Sequence, residues 1–192
     1  MAPSDIIATT TSLEALISAA NAGDEVAWEA IVDRFAGLVW ATARAHRLAP
    51  AEAADVAQTT WLRLVENLDR IKDPERLGAW LATTARRECL RHIRLRGREL
   101  PTAEDATFEA PSEETAEQRL ITRERNAALR QAFARISERC QALLRLLAAP
   151  ESPSYEEIAA ALGMPIGAIG PTRARCLDQL RRTPELAGLQ IG

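Results

Sequence analysis

The chain has little of what sheets, membrane spans and exported proteins require. Of its 192 residues, 9 are glycine and only 4% are aromatic, and the alternation of apolar and polar residues that predicts strands is nearly absent. No segment approaches the run of about 18 apolar residues that spans a membrane, and the N-terminus lacks the basic and apolar regions of a signal peptide. We therefore expect an all-α protein of the cytoplasm that is neither exported nor membrane-spanning.

Cysteine and histidine are too few and too scattered to indicate a metal or catalytic site. Cys89, Cys140 and Cys176 lie far apart without a CxxC or Cys/His spacing, which favours buried thiols in a reducing compartment. The two histidines, His46 and His92, have no metal-ligand or triad partner at a usable spacing, and no phosphate-binding glycine loop is present. We expect no catalytic residue, no metal and no cofactor, and hence no enzyme.

Charge is abundant and unevenly placed. The net charge is −3, yet residues 70–98 carry nine basic and three acidic side chains, whereas residues 1–69 carry four basic and ten acidic ones. Residues 99–118 then hold seven acids and no base. One concentrated basic segment indicates contact with nucleic acid, while the acidic whole predicts weak DNA affinity for the chain alone.

Apolar residues recur at the helical period along most of the chain. The pattern predicts helices at 13–21, 25–46, 51–69, 74–96, 117–135, 138–148, 155–162 and 166–182. Asp24, Pro50 and Asp73-Pro74 stand where helices begin. The proline-bearing acidic stretch between the fourth and fifth helices has no apolar periodicity, so we expect two small helical domains joined by a flexible acidic linker.

The last two predicted helices form a helix-turn-helix. Ser154 and Glu157 have the spacing of a capping box, Gly163 suits a left-handed helix end, and Pro165 suits the first position of the next helix. Gly170-Pro171 lies inside the second helix and should bend or locally widen it.

The second helix of this unit has two distinct faces. Ile169, Cys176 and Leu180 fall on an inward face. The opposite face, which could enter a major groove, carries Ala168, Thr172, Arg175 and Gln179.

The third predicted helix also has two faces. An inward stripe comprises Val56, Thr60, Leu64, Val65 and Leu68 with Trp61 beside them, and we expect Trp28 and Trp40 in the core as well. A second stripe comprises Asp55, Gln58, Leu62 and Glu66. This polar stripe with one leucine is either a solvated face or a docking surface for the helices of another protein.

The fourth predicted helix combines an apolar face with dense arginine. Its apolar positions are Leu77, Leu81, Ala85, Cys89 and Ile93. Arginines on the other face can bind phosphates and stack on splayed bases, and Trp80 is either a core residue or an aromatic platform for a base.

The order of these motifs resembles one protein family. Asp55-Val-Ala-Gln-Thr-Thr-Trp-Leu-Arg-Leu64, then Ala79-Trp-Leu-Ala-Thr-Thr-Ala-Arg-Arg-Glu-Cys-Leu-Arg91, then an acidic linker and a helix-turn-helix are similar to the extracytoplasmic-function (ECF) sigma factors of the sigma-70 family. The resemblance covers about residues 15–183. It implies a non-enzymatic subunit that binds the clamp helices and flap of bacterial core RNA polymerase and directs recognition and melting of promoter DNA, with no small-molecule substrate. An anti-sigma factor is a further partner that the family often uses.

The resemblance implies domains and site residues. The domains are a disordered N-terminus at 1–12, region 2 at 13–98, the acidic linker at 99–117, region 4 at 118–184 and a tail at 185–192. Core polymerase would contact Asp55, Gln58 and Leu62. The −10 element would contact Lys72, Arg76, Trp80, Arg86, Arg87, Arg91 and Arg94. The −35 element would contact Ala168, Thr172, Arg173, Arg175 and Gln179.

Two departures from the family pattern leave the promoter sequence open. Arg87 and Arg91 stand where many members carry asparagine and aspartate, and Gly170-Pro171 stands where basic or hydroxylated residues are frequent. The alternative function is an autonomous helix-turn-helix regulator that dimerises on palindromic operators. The basic fourth helix and the lack of an evident dimerisation helix argue against it.

Overall fold

The computed structural model describes residues 12–96, 116–150 and 152–187, and its regular structure is helical throughout these ranges. The all-α prediction is confirmed. The helices are α1 Leu13–Asn21, α2 Glu25–Ala45, α3 Pro50–Val65, α4 Leu77–Arg96, α5 Ala116–Arg135, α6 Glu138–Leu147, α7 Tyr155–Leu162, α8 Ile169–Arg181 and α9 Pro184–Ala187. Short 3₁₀ turns cover Leu68–Arg70, Pro74–Arg76 and Ile166–Ala168. The predicted disordered N-terminus, most of the predicted linker and the last five residues lie outside the described ranges.

Helix starts follow the capping residues of the sequence. The Asp24 carboxylate accepts hydrogen bonds from the amides of Val26 and Ala27 at 2.9 and 3.2 Å, which fixes the first turn of α2. Pro50 occupies the first turn of α3, where its missing N–H costs nothing, and Glu52 accepts from the Ala49 amide at 2.7 Å. These local signals explain why every predicted helix start falls within three residues of the observed one.

Helices α1 to α4 pack into an N-terminal lobe (residues 12–96). Its fully buried side chains include Ile31, Val39, Leu64, Leu77 and Leu81. The Trp28 and Trp61 rings meet edge to face with centroids 6.5 Å apart, but both residues stay half-buried.

Three apolar residues of this lobe were predicted to face inward and do not. Trp40 is 41% exposed, and Val65 and Ile93 also lie on the surface. Helical periodicity marks apolar positions but does not show whether another helix covers them, and within residues 12–96 these three side chains remain exposed. The core assignments of Trp40, Val65 and Ile93 are therefore wrong.

Helices α5 to α9 form a C-terminal lobe (residues 116–187). Leu143, Leu146, Ile158 and Ile169 are fully buried there. Helices α6 and α8 are joined by a disulfide between Cys140 and Cys176, whose Cα atoms lie 5.3 Å apart. The expectation of three buried free thiols is thus wrong for this pair, because helix packing brings together cysteines that have no sequence spacing in common. Cys89 is a free buried thiol, and burial raises its pKa to about 12.

The two lobes share one apolar core. Leu81 and Ala85 of α4 belong to the same buried cluster as Ile158 and Ala161 of α7. The packing of α4 against α7 is the most extensive between any two helices of the described residues. The basic helix of the N-terminal lobe therefore lies directly against the first helix of the helix-turn-helix.

Candidate functional site

The outer face of α3 borders an apolar groove. Asp55, Gln58 and Leu62 are all exposed on this face, and the leucine side chain is 58% accessible. The groove has a volume of about 600 Å³ and is lined by Trp28, Trp40, Ala54, Ala57, Gln58, Trp61, Leu62 and Val65. Three indole rings around an open groove are unusual for a merely solvated face, since exposed apolar patches of this kind mark contact sites. The groove has the chemistry of a docking surface for an apolar helix.

The sequence predicted Gln58 and Leu62 as surface residues of this groove, but it did not predict the apolar residues that line the rest of it. Trp40 and Val65 were assigned to the core, yet both line the open groove. The signal that could have found them is the three-residue spacing of Leu62 and Val65, which places two apolar side chains on the same outer face of α3.

A second depression lies at the start of α4. It has a volume of about 310 Å³, and Lys72, Arg76 and Trp80 line it together with Asn67, Arg70, Ile71, Asp73 and Leu77. Trp80 is half-buried and packs against the core while one part of it faces this pocket. Trp80 was interpreted either as a core residue or as an aromatic platform for a base. Its position is compatible with both, since one part of the ring packs on the core and another part lines the pocket. An aromatic ring beside three cations can hold a base and its phosphates. Sequence reasoning missed Asn67 and Arg70 as members of the pocket.

The arginines of α4 divide into free and engaged groups. Arg87, Arg91 and Arg94 are exposed, and their only contacts among the described residues are within their own helix, such as the 3.4 Å bond from Arg91 to Glu88. Arg86 instead lies half-buried under Gly163 of the C-terminal lobe. The structure thus brings together the predicted −10 side chains on α4 but does not leave all of them accessible.

The helix-turn-helix begins and turns as predicted. The Ser154 hydroxyl accepts from the Glu157 amide at 3.2 Å, and Glu157 accepts from the Ser154 amide at 2.7 Å. Gly163 ends α7 with a φ of 61°, a left-handed conformation that side chains with a Cβ rarely adopt. The turn between the two helices is therefore fixed from both sides.

The predicted bend at Gly170-Pro171 does not occur inside the recognition helix. The chain runs through a 3₁₀ turn at Ile166–Ala168, and α8 begins at Ile169, so Pro171 lies in its first turn. The first amides of a helix have no intrahelical acceptor, so a proline there removes no bond that the helix needs. Pro165 precedes the 3₁₀ turn instead of opening α8.

The outer face of α8 is narrower than the sequence predicted. Arg173, Arg175 and Gln179 are exposed, whereas Thr172 is only 9% exposed. Ala168 is half-buried against the core. Thr172 was placed on the outer face, and that placement is wrong because Thr172 lies three residues after the buried Ile169 and four before the buried Cys176, which puts all three on one face of α8.

The covered Thr172 makes one hydrogen bond to a residue of the exposed face of α8. Nη2 of Arg175 donates to the Thr172 hydroxyl at 3.3 Å. The threonine therefore orients an exposed arginine from beneath instead of presenting its own side chain to solvent.

The described residues contain no cluster of three or more metal-ligating side chains. None of the helices within the described ranges combines the length and the apolar character of a membrane span. What the surface offers is the apolar groove on α3, the cationic pocket at the start of α4, and the two arginine-bearing helices α4 and α8.

Comparisons with known proteins agree with this arrangement. Residues 31–99 match the family model for sigma-70 region 2. No curated protein matches the sequence. Among solved structures, the chain is similar to CnrH in complex with the cytosolic domain of CnrY, with a TM-score of 0.56 and 22% identity over 86% of this chain and 92% of that chain. At this identity the likeness establishes the fold. Residues 31–99, which contain both α3 and α4, are thus similar to a sigma-70 region 2.

Proposed function

We propose that this chain is an extracytoplasmic-function sigma factor of the sigma-70 family, and that it divides promoter recognition between its two lobes. Region 2, at 13–98, binds core polymerase and captures the −10 element. The linker at 99–117 connects it to region 4, at 118–184, which reads the −35 element as duplex. Such a subunit performs no chemistry itself, and it works in the cytoplasm, where bacterial polymerase and the chromosome are found.

The observation that carries the proposal is the tryptophan-lined groove beside Leu62. An exposed leucine next to an open apolar groove gains free energy when a partner helix covers both, at about 25 cal/mol per Å² of apolar area buried. Asp55 and Gln58 flank the groove and add hydrogen-bonding groups at its rim. A clamp helix of core polymerase that presents apolar residues and a cation would fit this surface.

The pocket at the start of α4 supports capture of a single strand. Lys72 and Arg76 are exposed cations that line one pocket together with the half-buried Trp80, and this pocket is open to solvent. A base that leaves the duplex can stack on the indole ring while the cations neutralise neighbouring phosphates. Arg87, Arg91 and Arg94 continue the positive charge along α4.

The exposed side chains of α8 support duplex readout. Arg173, Arg175 and Gln179 project from one helix, and arginine and glutamine are the side chains that make bidentate contacts to guanine and adenine in the major groove. Ala168 and Thr172 contribute less directly in this proposal, since both are largely covered.

A protein regulator is the remaining partner. CnrH, which shares this fold, was solved with the cytosolic domain of CnrY. We extend that observation to this chain as an anti-sigma partner that would cover the same exposed groove on α3.

Reconstitution with core polymerase tests the proposal. The protein is mixed with bacterial core enzyme and fragmented genomic DNA, and the 5′ ends of run-off transcripts are sequenced. We expect transcripts that start downstream of one shared pair of sequence elements and that disappear when either the protein or core enzyme is omitted. Tight binding of the protein alone to a palindromic duplex, unaffected by core enzyme, would instead establish the autonomous regulator.

A further inference from the structure

The Cys140–Cys176 disulfide joins α8 to the helix that supports it. Cys140 lies in the first turn of α6, and Cys176 lies midway along α8, on the face that also buries Ile169 and Thr172. Among the described residues, no other helix packs on α8 as extensively as α6 does. The bond therefore helps to fix the exposed face of α8 relative to the core of the C-terminal lobe.

One sulfur of the bond lies just beneath that exposed face. Sγ of Cys140 is 3.5 Å from Oε1 of Gln179, whose side chain is exposed on α8. A disulfide sulfur carries no proton, so it donates nothing to the Gln179 oxygen. A free Cys140 thiol would instead donate a weak hydrogen bond to that oxygen. The chemical state of the sulfur thus changes whether the Gln179 carbonyl is available to a ligand outside the protein.

The two sulfurs differ in their access from solvent. Cys176 is completely buried, whereas Cys140 is 6% exposed and lies under the Gln179 side chain. Cys140 also belongs to the first turn of α6, where its amide donates to the Ser137 hydroxyl at 3.3 Å. The positive end of a helix dipole favours a thiolate at such a position. A small thiol that displaces the Gln179 side chain therefore reaches Cys140 first.

The third cysteine takes no part in this chemistry. Cys89 is fully buried in a separate cluster of the N-terminal lobe, together with Ala43, Leu48, Ala53 and Val56. Burial raises the pKa of its thiol to about 12, and only the thiolate attacks a disulfide. One pair of sulfurs can therefore cycle between bond and thiols without competition from Cys89.

We propose that the Cys140–Cys176 pair is a redox-modification site for the small thiols and disulfides of the cell, and that only its oxidised state holds α8 for −35 readout. This rests on the proposed function, because it assumes that α8 reads the −35 element in the cytoplasm. Disulfides of cytoplasmic proteins are mostly transient or redox-sensing, since the pool of small thiols reduces the bonds that it can reach. The bond in this chain can be reached through Cys140.

Reduction proceeds by two thiol–disulfide exchanges. The thiolate of a small thiol bonds to Sγ of Cys140, the Cys140–Cys176 bond breaks, and its electron pair leaves on Sγ of Cys176, which takes up a proton. A second small thiolate attacks the sulfur of the first small molecule and releases Cys140, which is protonated in turn. The protein gains two electrons and two protons, and two small thiols become one small disulfide. Oxidation by a small disulfide is the reverse of these steps.

Reduction changes α8 in two ways. The helix loses its covalent link to α6, and the Gln179 oxygen gains the Cys140 thiol as a donor. Glutamine reads adenine with both its oxygen and its nitrogen, so an oxygen engaged from within weakens that contact. The reduced chain should therefore lose its preference for a −35 sequence. Its contacts through α3 and α4 should persist, because the bond lies wholly within the C-terminal lobe.

A thiol count tests whether the bond cycles. The full chain is equilibrated in glutathione buffers of increasing reducing power, quenched in acid, denatured and labelled with a maleimide, and its mass is measured. The oxidised chain should carry one label, on Cys89, and the reduced chain three. We expect the triply labelled fraction to rise from below about 10% to above about 90% between an oxidising and a cytoplasmic glutathione poise. A bond with a structural role alone would stay oxidised throughout, which would overturn the proposal.

Transcription tests whether the bond controls readout. Core polymerase receives the oxidised, the reduced or the reoxidised chain, each freed of small thiols. The template is a promoter found by run-off sequencing, or the same promoter with its −35 element scrambled. The ratio of transcripts from the two templates should be about tenfold for the oxidised and reoxidised chains and close to one for the reduced chain. Core binding should agree within about twofold among the three.

Two variants serve as controls. Cys140→Ala with Cys176→Ala should give the ratio of the reduced chain whatever its treatment, while Cys89→Ala should respond as wild type does. If the double variant does not fold, recovery of the ratio in the reoxidised wild type carries the same comparison. Equal ratios for the oxidised and reduced chains would overturn the redox proposal alone. If neither state gives promoter-specific transcripts, the proposed function fails, while the thiol count still reports whether the bond cycles.

Discussion

The two lobes are stabilised by different means. The N-terminal lobe packs four helices around fully buried side chains such as Ile31, Leu64 and Leu81, and it contains all four tryptophans of the chain. The C-terminal lobe has shorter helices around its core, a disulfide between α6 and α8, and a capping box at the start of α7. It also borrows apolar surface from α4. The larger lobe thus combines its own core with an open groove, whereas the smaller lobe adds a covalent bond and apolar surface of α4 to its own core.

Removal of the disulfide is the strongest way to test this difference. Cys140 and Cys176 are 36 residues apart in sequence, and a loop of that length corresponds to about 4 kcal/mol of stabilisation through the unfolded state. We expect the variant Cys140→Ala with Cys176→Ala to lose about this amount, mainly in the C-terminal lobe. Urea unfolding should be followed by circular dichroism, which reports all helices, and by tryptophan fluorescence, which reports the N-terminal lobe alone. If the two unfolding transitions of the variant coincide and their midpoints equal those of wild type, the disulfide does not stabilise the C-terminal lobe.

Leu62→Asp tests whether the exposed groove of the larger lobe is a binding surface. A carboxylate among Trp40, Trp61 and Val65 would be buried by a partner helix, so we expect core polymerase affinity to fall by about 2 kcal/mol, or about 30-fold. The free protein should keep its melting temperature, because this side chain is 58% exposed. Leu129→Asp, at an exposed leucine of α5, is the matched control. Wild-type affinity of the Leu62 variant would remove the groove from the polymerase interface.

Arg175→Ala tests the corresponding binding surface of the smaller lobe. The guanidinium is exposed on α8 and is oriented by the Thr172 hydroxyl. We expect a loss of about 1–2 kcal/mol in promoter binding by holoenzyme and a relaxed preference at one −35 base pair, with core binding unchanged. Arg182→Ala, at the end of the same helix, serves as control. Unchanged −35 selectivity would exclude Arg175 from the readout.

The smallest expected effect is a pH dependence at the boundary of the lobes. Burial lowers the pKa of His46 from its usual 6.5, and the nearby Arg86 lowers it further against the opposing effect of the Ala161 hydrogen bond. The unfolded chain therefore binds more protons than the folded one between the two pKa values. The free energy of unfolding should fall as pH drops below about 6.5. The fall between pH 7.5 and 5.5 should be smaller in His46→Gln, and equal slopes would place the histidine outside the pH response.

Most helix starts and ends could be predicted from local sequence signals. Ser154 and Glu157, Gly163, Asp24 and Pro50 each act within one turn of helix, so their effect can be predicted from sequence neighbours alone. The same locality explains the misplacement of Pro171, whose effect depends on where the helix starts.

Contacts between distant segments could not be predicted in the same way. Trp40 and Val65 have apolar neighbours at helical spacing, yet no helix within the described ranges covers either side chain. The Cys140–Cys176 bond and the packing of α7 on α4 join positions with no common motif. Of the candidate site, Leu62, Lys72 and Arg175 remain predictions from the sequence, while the groove, the pocket and the covered state of Arg86 required the tertiary structure.

Lys72 allows the protein to be labelled with a fluorophore at one side chain. It is the only lysine in the chain, it is exposed, and it lines the pocket that also contains Trp80. Apart from the terminal amino group, no other primary amine competes for an amine-reactive dye. A fluorophore attached at mildly alkaline pH would stand at the mouth of the pocket at the start of α4, where entry of the proposed DNA strand would change its surroundings. One conjugation step would thus turn the wild-type protein into a reporter of the strand capture proposed for this pocket.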